Sequence, residues 1–229
     1  MPAMRRTVMI AMLGLPLSLP AWALDLGMLS QADASGGLKE ALNQGAAHAV
    51  ETLGREGGFL DNPKVRIGLP GLLEKAEPLL RMAGRGKALD QLVLTMNRAA
   101  EAAVPEAKPL LLGAVRQMTV SDARNILGGG DDSVTRFFRG KTEQELTQRL
   151  LPLVRQQTDR LAVASQYNKL AGQAAASGLI KSDDAQIEHY VTQRALDGLY
   201  QMIAEQEKAI RRNPMEAAGS LARKVFSAL

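Results

Sequence analysis

Apolar residues recur at intervals of three and four positions along most of the chain, which is the spacing that places side chains on one face of an α-helix. The first stripe of this kind comprises Leu38, Ala41, Leu42 and Ala49. A capping pair, Ser30 and Asp33, precedes the stripe, and the cluster Gly54, Gly57 and Gly58 follows it. The pattern predicts a first helix between the capping pair and the glycines.

The pattern changes between Phe59 and Pro70, where polar and apolar residues alternate after the turn signal Asp61-Asn62-Pro63. A strand here would need a partner strand, and the rest of the chain suggests none. We therefore expect an extended loop over residues 59–69 that crosses the helices. Pro70 suits the first position of a helix that runs to about residue 84, and another helix is expected over about residues 87–104.

Two capping boxes predict helix starts in the middle of the chain. Thr119-x-x-Asp122 predicts a short helix that stops at the glycines 128–130, and Asp131-Asp132 begins another short helix that carries Phe137 and Phe138. Thr142-x-x-Glu145 predicts the start of the longest helix, which we expect to continue to Gly178 with a kink at Pro152.

The last long stripe predicts a helix that begins near Asp183 or Asp184 and ends at Arg212, and its apolar face comprises Val191, Ala195, Leu199, Met202 and Ile203. A terminal amphipathic helix is expected over residues 215–229, packed on the rest of the protein. The predicted fold class is all-α: a multi-helix bundle of about seven to nine helices with one extended loop near residues 59–69.

The first 23 residues have the three parts of a cleavable secretory signal peptide. Arg5 and Arg6 make the start basic, residues 7–20 are almost wholly apolar, and Ala21-Trp22-Ala23 supplies small residues at both recognition positions of a cleavage site. A retained membrane anchor is the alternative, but the apolar run is short and contains two prolines. We expect cleavage after Ala23, leaving residues 24–229 as one soluble helical domain in the periplasm without a transmembrane span.

Charge and composition exclude several classes of protein. The chain has 28 Lys and Arg residues against 24 Asp and Glu, and removal of Arg5 and Arg6 lowers the formal net charge from +4 to +2. So small a charge, with three Tyr and four Phe to stack on bases, argues against a nucleic-acid partner. The sequence contains no cysteine, so the exported chain must be stable without disulfides and is not a cysteine-acylated lipoprotein.

Five stretches of the chain resemble one bacterial protein family. They are residues 30–42, 59–67, 96–108, 118–138, which include Gly-Gly-Asp-Asp, and 190–199. Together they resemble the family of domains of unknown function numbered 4197, over essentially the whole mature chain. The resemblance implies an exported helical protein and supplies no activity, cofactor or catalytic residue. Gly68 stands where we expect a second proline before Leu69-Pro70, which affects only the geometry of the loop.

The segment Gly128-Gly129-Gly130-Asp131-Asp132 is the first candidate site. Three glycines permit unusual backbone angles, and the two carboxylates can ligate a hard cation such as Ca²⁺. The alternative, which we favour, is that a glycine ends one helix while an aspartate caps the next. A calcium loop needs more oxygen ligands than Ser133 and Thr135 supply. A phosphate loop is excluded because no Gly-Lys-Ser/Thr follows.

The second candidate site is a set of polar residues on the last two long helices, Tyr167 and Asn168 on one and Tyr190, Arg194 and Asp197 on the other. If the two faces meet, these residues line a polar pocket of the kind in which helical bundles bind ligands. Arg66 on the extended loop can reach the same region or form a salt bridge with a helix end. The alternative for the set is a satisfied hydrogen-bond network between helices.

Catalytic and metal-binding patterns are otherwise missing from the sequence. Neither His48 nor His189 has a second histidine at helical spacing, and there is no Gly-x-Ser-x-Gly motif, so we expect no metal and no cofactor. The favoured function is a non-catalytic binding or interaction module of the cell envelope, with an unknown protein or small molecule as its partner. The alternative is an enzyme with a polar interhelical cleft that uses a carboxylate such as Asp131, Asp132 or Asp197 with tyrosine or arginine support. Convergence of Asp131 or Asp132 with Tyr167, Tyr190 or Arg194 around one cleft would favour this alternative.

Overall fold

The computed structural model describes residues 31–177 and 185–213, together with residues 219, 222, 223 and 225. All regular secondary structure in these residues is helical. The α-helices, in chain order, are α1 (Gln31–Gly54), α2 (Gly71–Met82), α3 (Gly86–Ala103), α4 (Ala107–Arg116), α5 (Val120–Leu127), α6 (Ser133–Thr158), α7 (Ala162–Ala176) and α8 (Ile187–Arg212). The prediction of an all-α bundle is confirmed.

Helices α6 and α8 are the two longest described helices and form the most extensive helix pair among the described residues, and α3 packs against both. The seam between α6 and α8 is built from fully buried apolar side chains, among them Phe138, Leu146, Leu150, Leu196 and Leu199. Helix α1 packs against α4 and α8 and closes the bundle on its other side. Removal of this apolar surface from water is the main force that holds the helices together.

Several predicted elements match the structure. The stripe of α1 is buried, and so are all five apolar residues predicted for the last long helix. Residues 59–65 consist mainly of turns, and residues 66–70 have no regular secondary structure, so the segment between α1 and α2 is a loop, as expected. The predicted cap at Ser30, the helix end at Gly178 and the start at residues 183–184 lie outside the described residues, as does most of the predicted terminal helix.

The prediction of two helices between residues 131 and 178 is wrong in its boundaries. Residues 133–158 form one continuous helix, and Thr142 lies inside it instead of capping a new one. The Thr142 hydroxyl donates to the carbonyl oxygen of Phe138 at 2.7 Å and lies 2.9 Å from the Tyr200 hydroxyl. Because Thr142 is buried against α8, its polar group serves the packing of α6 on α8.

The longest predicted helix is also interrupted where the sequence has neither glycine nor proline. Helix α6 ends at Thr158, Leu161 has an extended backbone with φ −101° and ψ 120°, and α7 begins at Ala162. Pro152 lies inside α6 and does not end it. The break matters for the site, because it allows α7 to pack against α3 and the beginning of α8 as a separate helix.

Prolines also mark two shorter connections. Pro70 is the N-cap residue of α2 instead of its first residue. Pro105 lies in a single 3-10 turn, Val104–Glu106, that joins α3 directly to α4. Within the described residues, no helix is both long enough and apolar enough to cross a membrane.

Candidate functional site

The 59–70 loop is fastened to α3 by two buried polar side chains. The Asn97 side chain pairs with both backbone groups of Ile67: its Oδ1 accepts from the N–H at 2.9 Å and its Nδ2 donates to the carbonyl oxygen at 2.8 Å. One turn along α3, the Glu101 Oε1 atom accepts from the N–H groups of Phe59 and Leu60 at 3.0 and 3.1 Å. These hydrogen bonds satisfy backbone N–H and carbonyl groups of the loop that would otherwise be buried without a partner.

Glu101 is also the centre of a charge network. Its Oε2 atom lies 2.6 Å from Arg98, and Arg98 reaches Glu56 beyond the end of α1 at 2.8 Å. Burial opposes the ionisation of Glu101, but the N–H groups of Leu60 and Phe59 together with Arg98 outweigh it and lower the pKa of this carboxyl group. The backbone of the loop is therefore hydrogen-bonded to an ionised carboxylate.

The loop approaches α8 most closely at Gly198. A Cβ atom added at this glycine would lie 2.8 Å from Phe59 Cε1 and 3.2 Å from Val65 Cβ. No larger residue fits there without displacement of the loop. Gly198 thus sets the distance between the loop and α8 and with it the shape of the surface between them.

A cleft of about 300 Å³ opens between the loop and α8 beside Gly198. We call it the cationic cleft; its polar side chains are Lys64, Arg66, Tyr190, Arg194, Asp197 and Gln201. The Tyr190 hydroxyl donates to the carbonyl oxygen of Gly68 at 3.2 Å, which joins the two walls. The Arg194 guanidinium lies 5.3 Å from the centre of the Tyr190 ring, a cation–π distance.

Asp197 is the acidic residue of the cleft wall, and two arginines face it. Arg139 of α6 lies 3.1 Å from Asp197 Oδ1, and Arg194 lies 3.6 Å from Oδ2. Arg139 also stacks on the buried Tyr200, 4.7 Å from the ring centre, and burial raises the pKa of the Tyr200 hydroxyl to about 12. Arg139 is shared with Glu143, which lies 2.7 Å away, so the charge of Asp197 is offset only in part by Arg139 and also by Arg194.

The other basic side chains leave the cleft positive. Lys64 pairs with Glu205 at 2.7 Å. Arg66 is exposed and has no carboxylate partner in the part of the chain that the structure describes. Among the lining residues, Arg66 and Arg194 outnumber the single carboxylate of Asp197, so the cleft has excess positive charge, and its surface position leaves that charge accessible to a solute.

Four of the predicted site residues thus lie together. Arg66, Tyr190, Arg194 and Asp197 line the same cleft, although Arg66 is far from the other three in the sequence. Whether they bind a ligand stays a prediction. Sequence reasoning missed Lys64, Gln201 and Gly198; only Gln201 had a signal, because it lies four residues after Asp197 on the same face of a helix.

Tyr167 and Asn168 lie elsewhere. The Asn168 side chain accepts from the N–H of Ile187 at 2.8 Å and donates to Glu188 at 3.1 Å, so it holds the first turn of α8 against α7. Arg155 lies 3.2 Å from the same Glu188 carboxylate. This arrangement is the interhelical hydrogen-bond network that we considered as the alternative for these residues. Tyr167 is buried and lines a different cavity.

Asp131 and Asp132 do not reach the cleft. Both are exposed, and Asp132 forms an ion pair with Arg136 one turn along α6. Asp132 occupies the N-cap position of α6, but its side chain makes no capping hydrogen bond. The convergence of these aspartates with Tyr167, Tyr190 or Arg194, which would have favoured an enzyme, is therefore not seen.

A residue distant in sequence caps α6 instead. The Glu207 carboxylate of α8 accepts from the N–H of Val134 at 3.1 Å and from the Ser133 hydroxyl at 3.0 Å. Burial raises the pKa of Glu207. The preceding glycine is needed for space, because a Cβ atom on Gly129 would lie 2.5 Å from Ser133 Cβ. None of glycines 128–130 has a positive φ angle, so unusual backbone angles do not explain the segment.

A second cavity, which we call the apolar groove, lies between α2, α3 and α7 and has a volume of about 520 Å³. Tyr167 lines it, together with leucine, alanine and valine side chains from the three helices. Among the described residues, no group of three or more His, Cys, Asp or Glu side chains is arranged to hold a metal ion.

A comparison with protein families matches the chain over residues 28–227 to the family described as "Protein of unknown function (DUF4197)". The chain belongs to this family. The match covers all the helices described above and both walls of the cationic cleft. No curated protein and no solved structure matches the chain, so the geometry of this family member has to be interpreted from its own residues.

Proposed function

We propose that this member of the family is a non-catalytic binding module of the cell envelope that binds an anionic group in the cationic cleft. The observation that carries the proposal is the convergence of Lys64, Arg66 and Arg194 on one opening, whose two walls are joined by the hydrogen bond from Tyr190 to Gly68. Arginine side chains bind carboxylate and phosphate groups through several N–H donors at once. Asp197 orients Arg194 for this role.

The rigid loop supports the proposal. Arg66 adjoins Ile67, whose backbone is paired with Asn97, so its Cα position is fixed before any ligand arrives. A site whose backbone is already ordered loses less conformational entropy on binding. The cleft is open to solvent, and we expect weak to moderate affinity for a small anion because exposed charge pairs contribute little free energy each.

Export to the periplasm is part of the proposal and rests on residues 1–23. Their basic start, apolar centre and Ala21-Trp22-Ala23 end have the order of a secretory signal. For the alternative function, a carboxylate-based enzyme, Asp131 and Asp132 are exposed residues outside the cleft. The third candidate carboxylate, Asp197, lies in the cleft but is paired with Arg139 and Arg194, so we favour binding over catalysis.

The test is titration of isotope-labelled protein with succinate and with inorganic phosphate, followed by nuclear magnetic resonance. We expect saturable shifts of the amide signals of Gly68 and Gly198. Arg66→Gln and Arg194→Gln should each weaken binding about three- to tenfold, the loss of one charge-assisted contact at an exposed site. The exposed Arg212 lies on the same helix outside the cleft, so Arg212→Gln is the charge-matched control.

Two results would contradict the proposal. One is the lack of any saturable shift at Gly68 and Gly198 with both anions. The other is equal weakening by Arg212→Gln, which would show that the anions respond to the overall charge of the protein instead of the cleft. Retained folding is checked by circular dichroism, and none of the three exposed substitutions should alter it.

A further inference from the structure

The apolar groove has two parallel stripes of apolar side chains as its walls. Helix α2 contributes Leu72, Leu73, Ala76 and Leu80, and α7 contributes Val163 and Leu170, while α3 forms the floor. On each wall these residues recur at helical spacing, so each helix turns a mainly apolar face towards the same space, to which α7 adds the polar side chains of Gln166 and Tyr167. A volume of about 520 Å³ is typical of a small-molecule site and too small for a protein domain.

The walls are incompletely covered by the described part of the protein. No residue of α2 is fully buried, although the helix is clearly amphipathic. Leu170 on the opposite wall is 66% exposed. An isolated helix of 12 residues is marginally stable in water and depends on burial of its apolar face. The groove therefore offers apolar surface that a bound apolar chain would remove from water.

One end of the groove carries a positive charge. Arg85 is the charged residue among the described lining residues, and it lies in the turn that joins α2 to α3. It forms no ion pair within the described ranges, in contrast to Arg81 nearby, which pairs with Glu77 and Asp90. The groove thus combines apolar walls with a cation at the end where α2 is joined to α3.

We propose that the apolar groove binds one free fatty acid, with its chain along α2 and α7 and its carboxylate at Arg85. A charged head group at the rim stays hydrated, while the chain gains from burial at about 0.8 kcal/mol per methylene group. We expect the groove to prefer an acid, because Arg85 attracts a carboxylate and would not attract a cationic or neutral head group. This site is separate from the cationic cleft and does not depend on the function proposed there.

The test is isothermal titration calorimetry of the protein purified from cells that express the full sequence. The probes are dodecanoate, dodecanol and dodecyltrimethylammonium below their micelle concentrations, and acetate. We expect dodecanoate to bind one to one with a negative heat-capacity change. Dodecanol and the ammonium compound should bind more weakly, and acetate should not bind measurably.

Substitutions test the charged end and the apolar lining of the groove separately. Arg85→Gln should weaken dodecanoate binding about three- to tenfold, while the neighbouring Lys87→Gln, outside the lining, should not. Ala76→Phe fills the groove and should weaken binding by more than about tenfold, whereas Ala83→Phe at the end of α2 should not. If Ala76→Phe does not fold, Leu170→Glu, at an exposed wall position, places a repelling charge beside the chain. Arg66→Gln should bind dodecanoate normally.

The proposal is overturned if dodecanoate does not bind, or if it binds Ala76→Phe or Leu170→Glu as tightly as the parent protein. Equal affinity for dodecanoate and dodecyltrimethylammonium would contradict the binding of the carboxylate by Arg85. Binding only to anionic phospholipid vesicles, with no affinity for dodecanoate in solution, would point to a membrane surface and contradict the fatty-acid site.

Discussion

At the scale of single residues, Glu101 couples the charge state of the protein to the position of the 59–70 loop. Its carboxylate holds the Phe59 and Leu60 N–H groups and pairs with Arg98. Since its pKa is lowered in the folded state, the stabilisation it provides is present above the unfolded pKa of about 4.3 and is lost as pH falls through the lower folded-state value.

We therefore predict that Glu101→Gln lowers the free energy of unfolding by about 2 kcal/mol at neutral pH, since a buried charged hydrogen-bond acceptor is lost. The difference from the parent protein should shrink as pH falls below about 4.3. Urea unfolding at a series of pH values measures both quantities. Glu106→Gln, at an exposed position just after α3, is the control, and equal effects of the two substitutions would contradict the role given to Glu101.

At the scale of elements, the two capping boxes show what local sequence can predict. Thr119 itself has an extended backbone and forms the full reciprocal box with Asp122, so the prediction for α5 is correct. Thr142 carries the same signal, but its burial against Tyr200 of α8 makes helix continuation more favourable. No local sequence signal marks the end of α6 at Thr158. We attribute this end to the packing of α7 against α3 and α8. Local patterns predicted which segments are helical; tertiary packing decided where several begin and end.

Helix α2 should be the least protected of the long described helices against hydrogen exchange. It has no fully buried residue, whereas α8 buries a stripe along most of its length, and local stability follows such burial. We predict that backbone amides in Gly71–Met82 exchange at least about a hundredfold faster than those in the middle of α8. Exchange measured by mass spectrometry tests this without any substitution. Comparable protection of the two helices would mean that another part of the chain covers α2.

At the scale of the whole molecule, the core and the cleft were predictable to different degrees. The buried stripes of α1 and α8 follow from hydrophobic periodicity, because burial of apolar surface dominates folding. The grouping of Tyr190, Arg194 and Asp197 follows from their helical spacing. Neither Arg139 at Asp197 nor the fit of Phe59 and Val65 over Gly198 could be predicted, since these contacts join segments far apart in the chain and depend on how the helices pack.

The proposed export concerns the whole chain, and it yields the last prediction. If residues 1–23 are a cleavable signal, the protein recovered from the periplasmic fraction begins at Leu24, as intact-mass and N-terminal analysis would show. Ala23→Tyr puts a bulky side chain at the cleavage position, so the precursor should accumulate uncleaved. Ala11→Leu, within the apolar stretch, keeps the required character and should be processed normally. Recovery of the unaltered chain from the cytoplasm with residues 1–23 intact would contradict export, and the cationic cleft would then meet cytoplasmic anions instead of periplasmic ones.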